Sequence, residues 1–353
     1  MILLRIIFGL LGVHLSALAV KSALRTFVLP RSAPDAVMGV VFRSIRWLFD
    51  LRVRRLTTYE DQDGWMAYYA PVAVLALLPT WLILIQIGHM FIFFGLGVTN
   101  WRLAFTLSGS SLLTLGFAQG TTFLHTVVAF EEATTGLILV ALLVAYLPTM
   151  YTAFARRENA VTRLSVHAGE PPSALEMLLR FNRLHQLQQQ GLMDEVWSDW
   201  EVWFSELEES HTSLAALVFF RSPQPDHSWI TAAGAVLDAA ALTASTLDAP
   251  FNPRVNLCIR AGFVALRHIA DFFQVEYNRD AHFPEDPISI NRAEFDEVYD
   301  TLVANGLPIK ADRDMAWQDF AGWRVNYDRV LLALSRLAMA PYAMWSSDRS
   351  VTR

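Results

Sequence analysis

From Met66 to Val98 the chain carries no Asp, Glu, Lys or Arg. A helix of about 20 apolar residues spans the roughly 30 Å hydrocarbon core of a bilayer. This run exceeds one crossing and is expected to tilt, or to kink at Pro71 or Pro79. Met1–Val20 and Thr121–Tyr151 are two further runs of the same kind. Three such segments predict a membrane portion. At 54% hydrophobic residues over 353 positions, the chain is too apolar for a soluble protein and too polar to be membrane throughout. The second half therefore reads as a soluble domain.

Charge orients the spans. Residues 1–157 hold 12 Lys and Arg against 7 Asp and Glu, a net of +5. Residues 158–353 hold 16 against 27, a net of −11, which completes the total of −6. The acidic second half excludes a nucleic-acid partner, which needs a basic face. Lys21, Arg25, Arg31, Arg43, Arg46, Arg52, Arg54 and Arg55 follow the first span and mark residues 21–65 as cytoplasmic. Arg156 and Arg157 do the same at the end of the third. The first span lacks a basic leader and a cleavage site followed by a polar start, so it reads as an uncleaved anchor with its N-terminus outside. Residues 36–55 mix apolar and basic residues at helical spacing, as in a helix lying on the inner leaflet. The expected location is the cell (inner) membrane, with several crossings.

These orientations put residues 99–120 on the outer side. Their segment 102–113, "RLAFTLSGSSLL", suits a short helix entering the membrane, and "TLGFAQG" suits an extended return. Span, short helix, "TLGFA", span resembles the two-helix pore module of the potassium-channel superfamily, over roughly residues 66–157. The resemblance implies that Thr114, Leu115, Gly116 and Phe117 supply filter carbonyls to a monovalent cation, K+ being the expected ion. It implies a hydroxyl from Thr114, a wedge from Phe117, and four chains around one axis. It makes Gly136 the counterpart of a hinge glycine. Ala118 stands where the family has a second glycine and Gln119 where it has an acid, so selectivity for potassium is the open point. Irregular backbone at membrane depth is tolerated only beside protein or water, which makes a re-entrant segment a functional feature.

Glu131 and Glu132 lie well inside the third span, where an acid marks a functional site. Neighbouring helical positions differ by about 100°, so the two cannot face one axis. One is expected to face a water-filled cavity. The other is expected to bond behind the loop, to Ser108, Ser110 or Ser111, or else both are satisfied at helix contacts. Gln86 and His89, in the second span, read as ordinary helix-contact residues.

Residues 158–353 read as helices at 173–190, 194–211, 228–245, 254–273, 292–306 and 317–340, broken by proline-rich stretches. Ser173 and Glu176 suggest a capping box. Trp197, Trp200 and Phe204 form a core stripe. Cys258, the single cysteine, excludes an intrachain disulfide and reads as a core residue. His211, Arg221 and Asp238 are candidate ligand or regulatory residues for a small molecule or ion. There is no nucleophile elbow and no zinc-protease spacing, so neither an enzyme nor a resident cofactor or metal is expected.

The expected fold is therefore an all-α membrane protein: an anchor helix at 1–20, a basic interfacial segment at 21–65, a pore-loop module at 66–157 and a helical cytoplasmic domain at 158–353. The expected function is a homotetrameric pore-loop cation channel. The rival is a non-conducting, membrane-anchored helical sensor or scaffold.

Overall fold

The computed structural model describes residues 2–29, 35–184 and 190–349. Arg31 and the stretch 185–189 of the expected 173–190 helix lie outside them. Regular structure among the described residues is helical, apart from one isolated bridge between Leu247 and Ile309. The helices are α1 (Ile2–Phe27), α2 (Ala36–Val53), α3 (Tyr59–Met66), α4 (Tyr69–Gly95), α5 (Trp101–Leu112), α6 (Phe123–Ala168), α7 (Ala174–Arg183) and α8 (Gln190–Ser213). A 3-10 turn at Ala215–Phe219 leads to α9 (Trp229–Thr246), α10 (Pro253–Phe272), α11 (Arg292–Ala304), α12 (Arg313–Arg324) and α13 (Asp328–Ala338). Three stretches are long and apolar enough to cross a membrane: Ile2–Phe27, Tyr59–Gly95 and Phe123–Ala168. The chain divides into two units, Met1–Thr57 with Trp65–Thr152, and Thr58–Gly64 with Ala153–Arg353.

In the first unit α1 and α4 run in opposite directions. Gly12 faces Gly88 so closely that a Cβ on Gly12 would lie 2.3 Å from the Gly88 carbonyl oxygen, and Gly95 meets the backbone of Arg5 and Gly9. Small residues let apolar helices approach to backbone contact, where dispersion and weak polar contacts hold them without a hydrophobic drive. At the other end Trp81 donates from Nε1 to Ser22 Oγ at 2.9 Å, and its ring meets Phe27 at 5.0 Å. α6 also runs opposite to α4: His89 meets Glu131, while Trp81 and Tyr146 both meet Phe27. Its buried residues up to Thr152 are His125, Glu132, Gly136, Leu139, Leu143, Tyr146 and Met150, a single stripe at helical spacing. On α2, Asp35 caps the first turn through Met38 N–H at 2.9 Å. Val41, Phe42 and Val53 are buried there, while Arg43, Trp47, Leu48, Leu51 and Arg52 are exposed.

α6 runs 46 residues, well past the expected end of its span at Tyr151. Arg156 and Arg157 can end a bilayer crossing, but charge does not stop a helix. The stop comes at Gly169, whose φ of +82° suits a glycine, and at Pro171. α1 likewise continues seven positions beyond Val20, to Phe27.

The second unit packs around α9. Its residues Trp229–Leu242 are all buried, and their many alanines let neighbours close in on every side. α10 meets it at Gly262, where a Cβ would sit 2.5 Å from Leu237 Cδ2. Trp197, Trp203 and Phe204 of α8 belong to the same core, and Cys258 is buried in it, which pushes its thiol well above the usual range. Two local expectations fail. Ser173 holds the N-cap position of α7 but makes no side-chain cap bond; Glu176 is taken instead by Arg180, at 2.7 Å. The capping box is at Asn291 and Glu294, heading α11. The expected helix 317–340 divides into α12 and α13 where Arg267 reaches between them, donating from Nε to the Asn326 carbonyl at 2.9 Å.

Candidate functional site

α5 begins with Asn100 capping the amides of Arg102 and Leu103. It runs alongside α6 in the same direction: Ser108 meets Glu132, and the Leu112 carbonyl oxygen lies 2.5 Å from where a Cβ on Gly136 would be. At about 1.5 Å per residue, that level is roughly 20 Å along α6 from Phe123. The sequence reading made Gly136 a hinge. Its place here is a close approach that only a glycine permits.

The turn after α5 differs from an extended filter. Thr114 N–H donates to the Ser111 carbonyl at 2.9 Å and Leu115 N–H to that of Ser110 at 2.8 Å. This is a Schellman cap, with Thr114 in the left-handed position that usually holds glycine, at φ +54°. Gly116 follows at φ +71° with open space around it, so conformation rather than crowding demands the glycine. Ala118 N–H donates to Ser110 Oγ at 3.1 Å, and its methyl packs against a cluster of Phe93, Val98, Ala104 and Leu107. Ser111 is turned back on its own helix, to the Leu107 carbonyl. Phe117 is 68% exposed, and Leu115 is exposed as well. Among the described residues, no hydrogen bond reaches a carbonyl from Thr114 to Gly120.

Behind this loop is a polar cluster. Glu132 is fully buried and accepts from Ser108 Oγ at 2.5 Å, while Ser108 also lies 3.1 Å from the Gln86 carbonyl. The second Glu132 oxygen has no partner among the described residues. Glu131 has a largely exposed side chain, 2.8 Å from His89 Nε2 and 3.2 Å from Thr135 Oγ1, while Glu132 Oε1 lies 3.9 Å from His89 Nδ1. The other ring nitrogen of His89, which is buried, reaches the Ile85 carbonyl at 3.0 Å and Ser16 at 3.3 Å. His89 thus joins α1, α4 and α6, the helix-contact role expected of it, but its pairing with Glu131 was missed. His89 and Glu131 lie at similar distances from the ends of their helices, and matching those depths was the available signal. His125 was missed too: it is buried against Phe93 and Gly120, with neither ring nitrogen partnered among the described residues. No group of three or more His, Cys, Asp or Glu among the described residues is placed to hold a metal.

In the second unit, His211, Arg221 and Asp238 do not converge. Asp238 sits inside the core with both oxygens on Arg324 Nη1, at 2.6 and 2.7 Å, and accepts from Tyr327 at 2.8 Å. Burial pushes its carboxyl up against the pull of Arg324, and the same burial raises the Tyr327 hydroxyl. Arg324 also grips Asp328 and the Trp345 carbonyl, which holds Asp238 in a network inside the core. His211 is fully buried between Ser210, Arg157 and the Trp229 ring; burial, then the Arg157 charge, hold it well below the ordinary range. Arg221 binds Asp63, Tyr59 and the Met339 carbonyl. Compared with known family models, with curated proteins and with solved structures, the chain matches none.

Proposed function

We propose that the chain is one subunit of a homotetrameric pore-loop cation channel in the cell membrane, with K+ as the expected permeant ion and the helical second unit as its regulator. The unpaired carbonyls from Thr114 to Gly120 carry this reading. Lipid has no donors for such groups, so a loop returning at membrane depth needs water, a permeant cation or a neighbouring chain. The resemblance of "TLGFA" to a potassium filter names the ion, and the end of α5, where helix-dipole charge is negative, favours a cation. Glu132 and Ser108 brace the loop from behind, and Glu131 offers its carboxyl at the less packed face of α6. In this reading the N-terminus is outside and the second unit cytoplasmic, with no catalytic residue and no bound cofactor.

Flux into liposomes holding the purified protein, under separate K+ and Na+ gradients, tests the proposal. Conduction that falls with Gly116→Ala is expected, together with an oligomer of four. A monomer, or vesicles that stay tight, would overturn it. One observation favours the non-conducting scaffold instead: Thr114 caps a helix in a left-handed turn rather than opening an extended strand. Under that reading, vesicles stay tight to both ions while the oligomer persists.

A further inference from the structure

We propose that the second unit carries a binding site for a small uncharged molecule with an apolar body and one hydrogen-bond acceptor, of the kind an aromatic amide presents, in the cavity where α8, α9 and α10 meet, with Trp197 as its anchor. Every residue of the site belongs to the second unit, and the proposal does not rest on the channel reading.

The cavity holds about 330 Å3, a volume in the range of small-molecule sites. Trp197 of α8 forms its back and is fully buried, whereas Phe251, 79% exposed, stands at its lip. Trp323 of α12 and Pro250, Pro253 and Pro308 make most of the remaining wall apolar. The chain has to turn between α9 and α10, and it does so through Pro250 and Pro253, which bring no N–H to that wall. Pro253 opens α10 behind Asn252, whose Oδ1 accepts from Arg254 N–H at 3.0 Å.

The polar groups around the cavity are largely taken. Thr243 donates its hydroxyl to the Ala239 carbonyl at 2.7 Å. The Pro308 carbonyl accepts from Asp248 N–H at 2.8 Å, and the carbonyls of Ala244 and Ser245 accept from Lys310 Nζ. Trp197 Nε1 is left over: it is buried and has no acceptor among the described residues. Buried donors are almost always paired, and Trp81, Trp203 and Trp229 each reach an oxygen. Trp345 Nε1 shares the lack but does not line this cavity. Met193, four positions before Trp197 on the same face of α8, is unbranched and flexible enough to give way to an entering group. Asp194 is the one charged side chain in the lining, and it has no ion-pair partner among the described residues; its Oδ1 accepts from Asn252 Nδ2 at 2.6 Å. Those two groups define the ligand. A carboxylate would meet the charge of Asp194, and an ammonium has no lone pair for the indole N–H. A neutral carbonyl on an apolar body suits both.

The experiment uses the full chain in lipid nanodiscs, labelled with nitrogen-15 at the indole nitrogens, with empty nanodiscs as the blank. Three probes share a phenyl ring: acetanilide, phenylacetate and benzylamine. Acetanilide is expected to shift one indole N–H resonance saturably and to slow its exchange; the loss of that resonance in Trp197→Phe assigns it. Trp197→Phe, with helix content by circular dichroism as the check on folding, is expected to weaken acetanilide by about five- to tenfold, the worth of one hydrogen bond. Phenylacetate is expected to bind about tenfold more weakly than acetanilide, and Asp194→Asn to narrow that gap. If Trp197→Phe does not fold, Phe251→Ala at the exposed lip is expected to weaken acetanilide by about threefold through lost ring contact. No saturable indole shift, a shift as large with benzylamine, or equal affinity for all three probes overturns the site.

Discussion

Thr114 offers the sharpest test of the loop, because two conformations of one residue predict opposite results for one substitution. At φ +54° it is the left-handed residue of the Schellman cap that ends α5. An L-residue in that conformation costs about 1–2 kcal/mol, and the β-branched side chain of threonine places it toward the upper end. Glycine removes the strain but loses about 0.5–1 kcal/mol more chain entropy on folding. Thr114→Gly is thus expected to stabilise the protein by about 1–1.5 kcal/mol, raising the melting midpoint by about 2 °C for a chain of this size. Thr114→Ala removes the hydroxyl but keeps a Cβ, and should recover much less. Tryptophan fluorescence on heating the detergent-solubilised protein, and exchange of the Leu115 amide, read the difference. A Thr114→Gly protein no more stable than Thr114→Ala would refute the cap and restore the extended filter strand. Flux separates conformation from chemistry. If both variants lose conduction equally while their stabilities differ, the hydroxyl is what the ion meets.

Three further outcomes follow from the same contacts. Gly136→Ala places a Cβ 2.5 Å from the Leu112 carbonyl; overpacking there is expected to cost about 1–3 kcal/mol and to lower the melting midpoint, whereas a hinge glycine would alter flux with the midpoint unchanged. Ser108→Ala leaves the buried carboxyl of Glu132 without its donor and should destabilise by about 1–3 kcal/mol in the same melt; no shift would mean that Glu132 is satisfied elsewhere. His211 gives a pH dependence: its folded value lies well below the unfolded value of about 6.5. Above that pH both states are neutral and the full stability is present. As pH falls below it the unfolded chain binds a proton that the buried ring refuses, so stability drops by up to about 1.4 kcal/mol per pH unit. Comparing the melts of wild-type and His211→Gln protein between pH 7 and 5 isolates this share, and equal slopes would show that the ring titrates normally.

How much of this was legible in the sequence depends on whether a local rule or a meeting of distant parts decides the feature. The apolar runs, the short α5 between two of them and the order of the second unit's helices follow from periodicity and punctuation, and the sequence reading placed them closely. The ends of α1 and α6 did not follow, because membrane boundaries were used as helix boundaries. The α12–α13 break falls just past Gly322, and the Asn326 carbonyl within it is taken by Arg267, more than fifty positions earlier. The capping box at Asn291 was hidden only because serine or threonine was the pattern sought. At the site, a serine partner for one of the two adjacent acids was foreseeable from depth, and Ser108 takes Glu132. Asp63, Tyr59 and Arg157 were not foreseeable, since nothing local in "YEDQDG" or "FARREN" announces that Arg221 takes the first two or that Arg157 bonds the Leu217 and Phe220 carbonyls.

Under the channel reading, the case for more than one copy rests on a narrower place than the apolar surface suggests. The face of α6 away from its buried stripe is almost wholly apolar, with Phe123, Leu124, Phe130, Leu137, Ile138 and Val144 exposed. In water that would demand a partner, but in a bilayer lipid covers such a face at no loss, so it says nothing of assembly. The loop is different. Its carbonyls from Thr114 to Gly120 have no hydrogen-bond partner among the described residues, and lipid cannot satisfy such groups. Either a water-filled space or other chains must meet them, and one loop cannot enclose such a space. If four chains supply it, the apolar face of α6 becomes an interface as a consequence. Substituting Leu137 or Ile138 should therefore disturb assembly less than substituting Gly116.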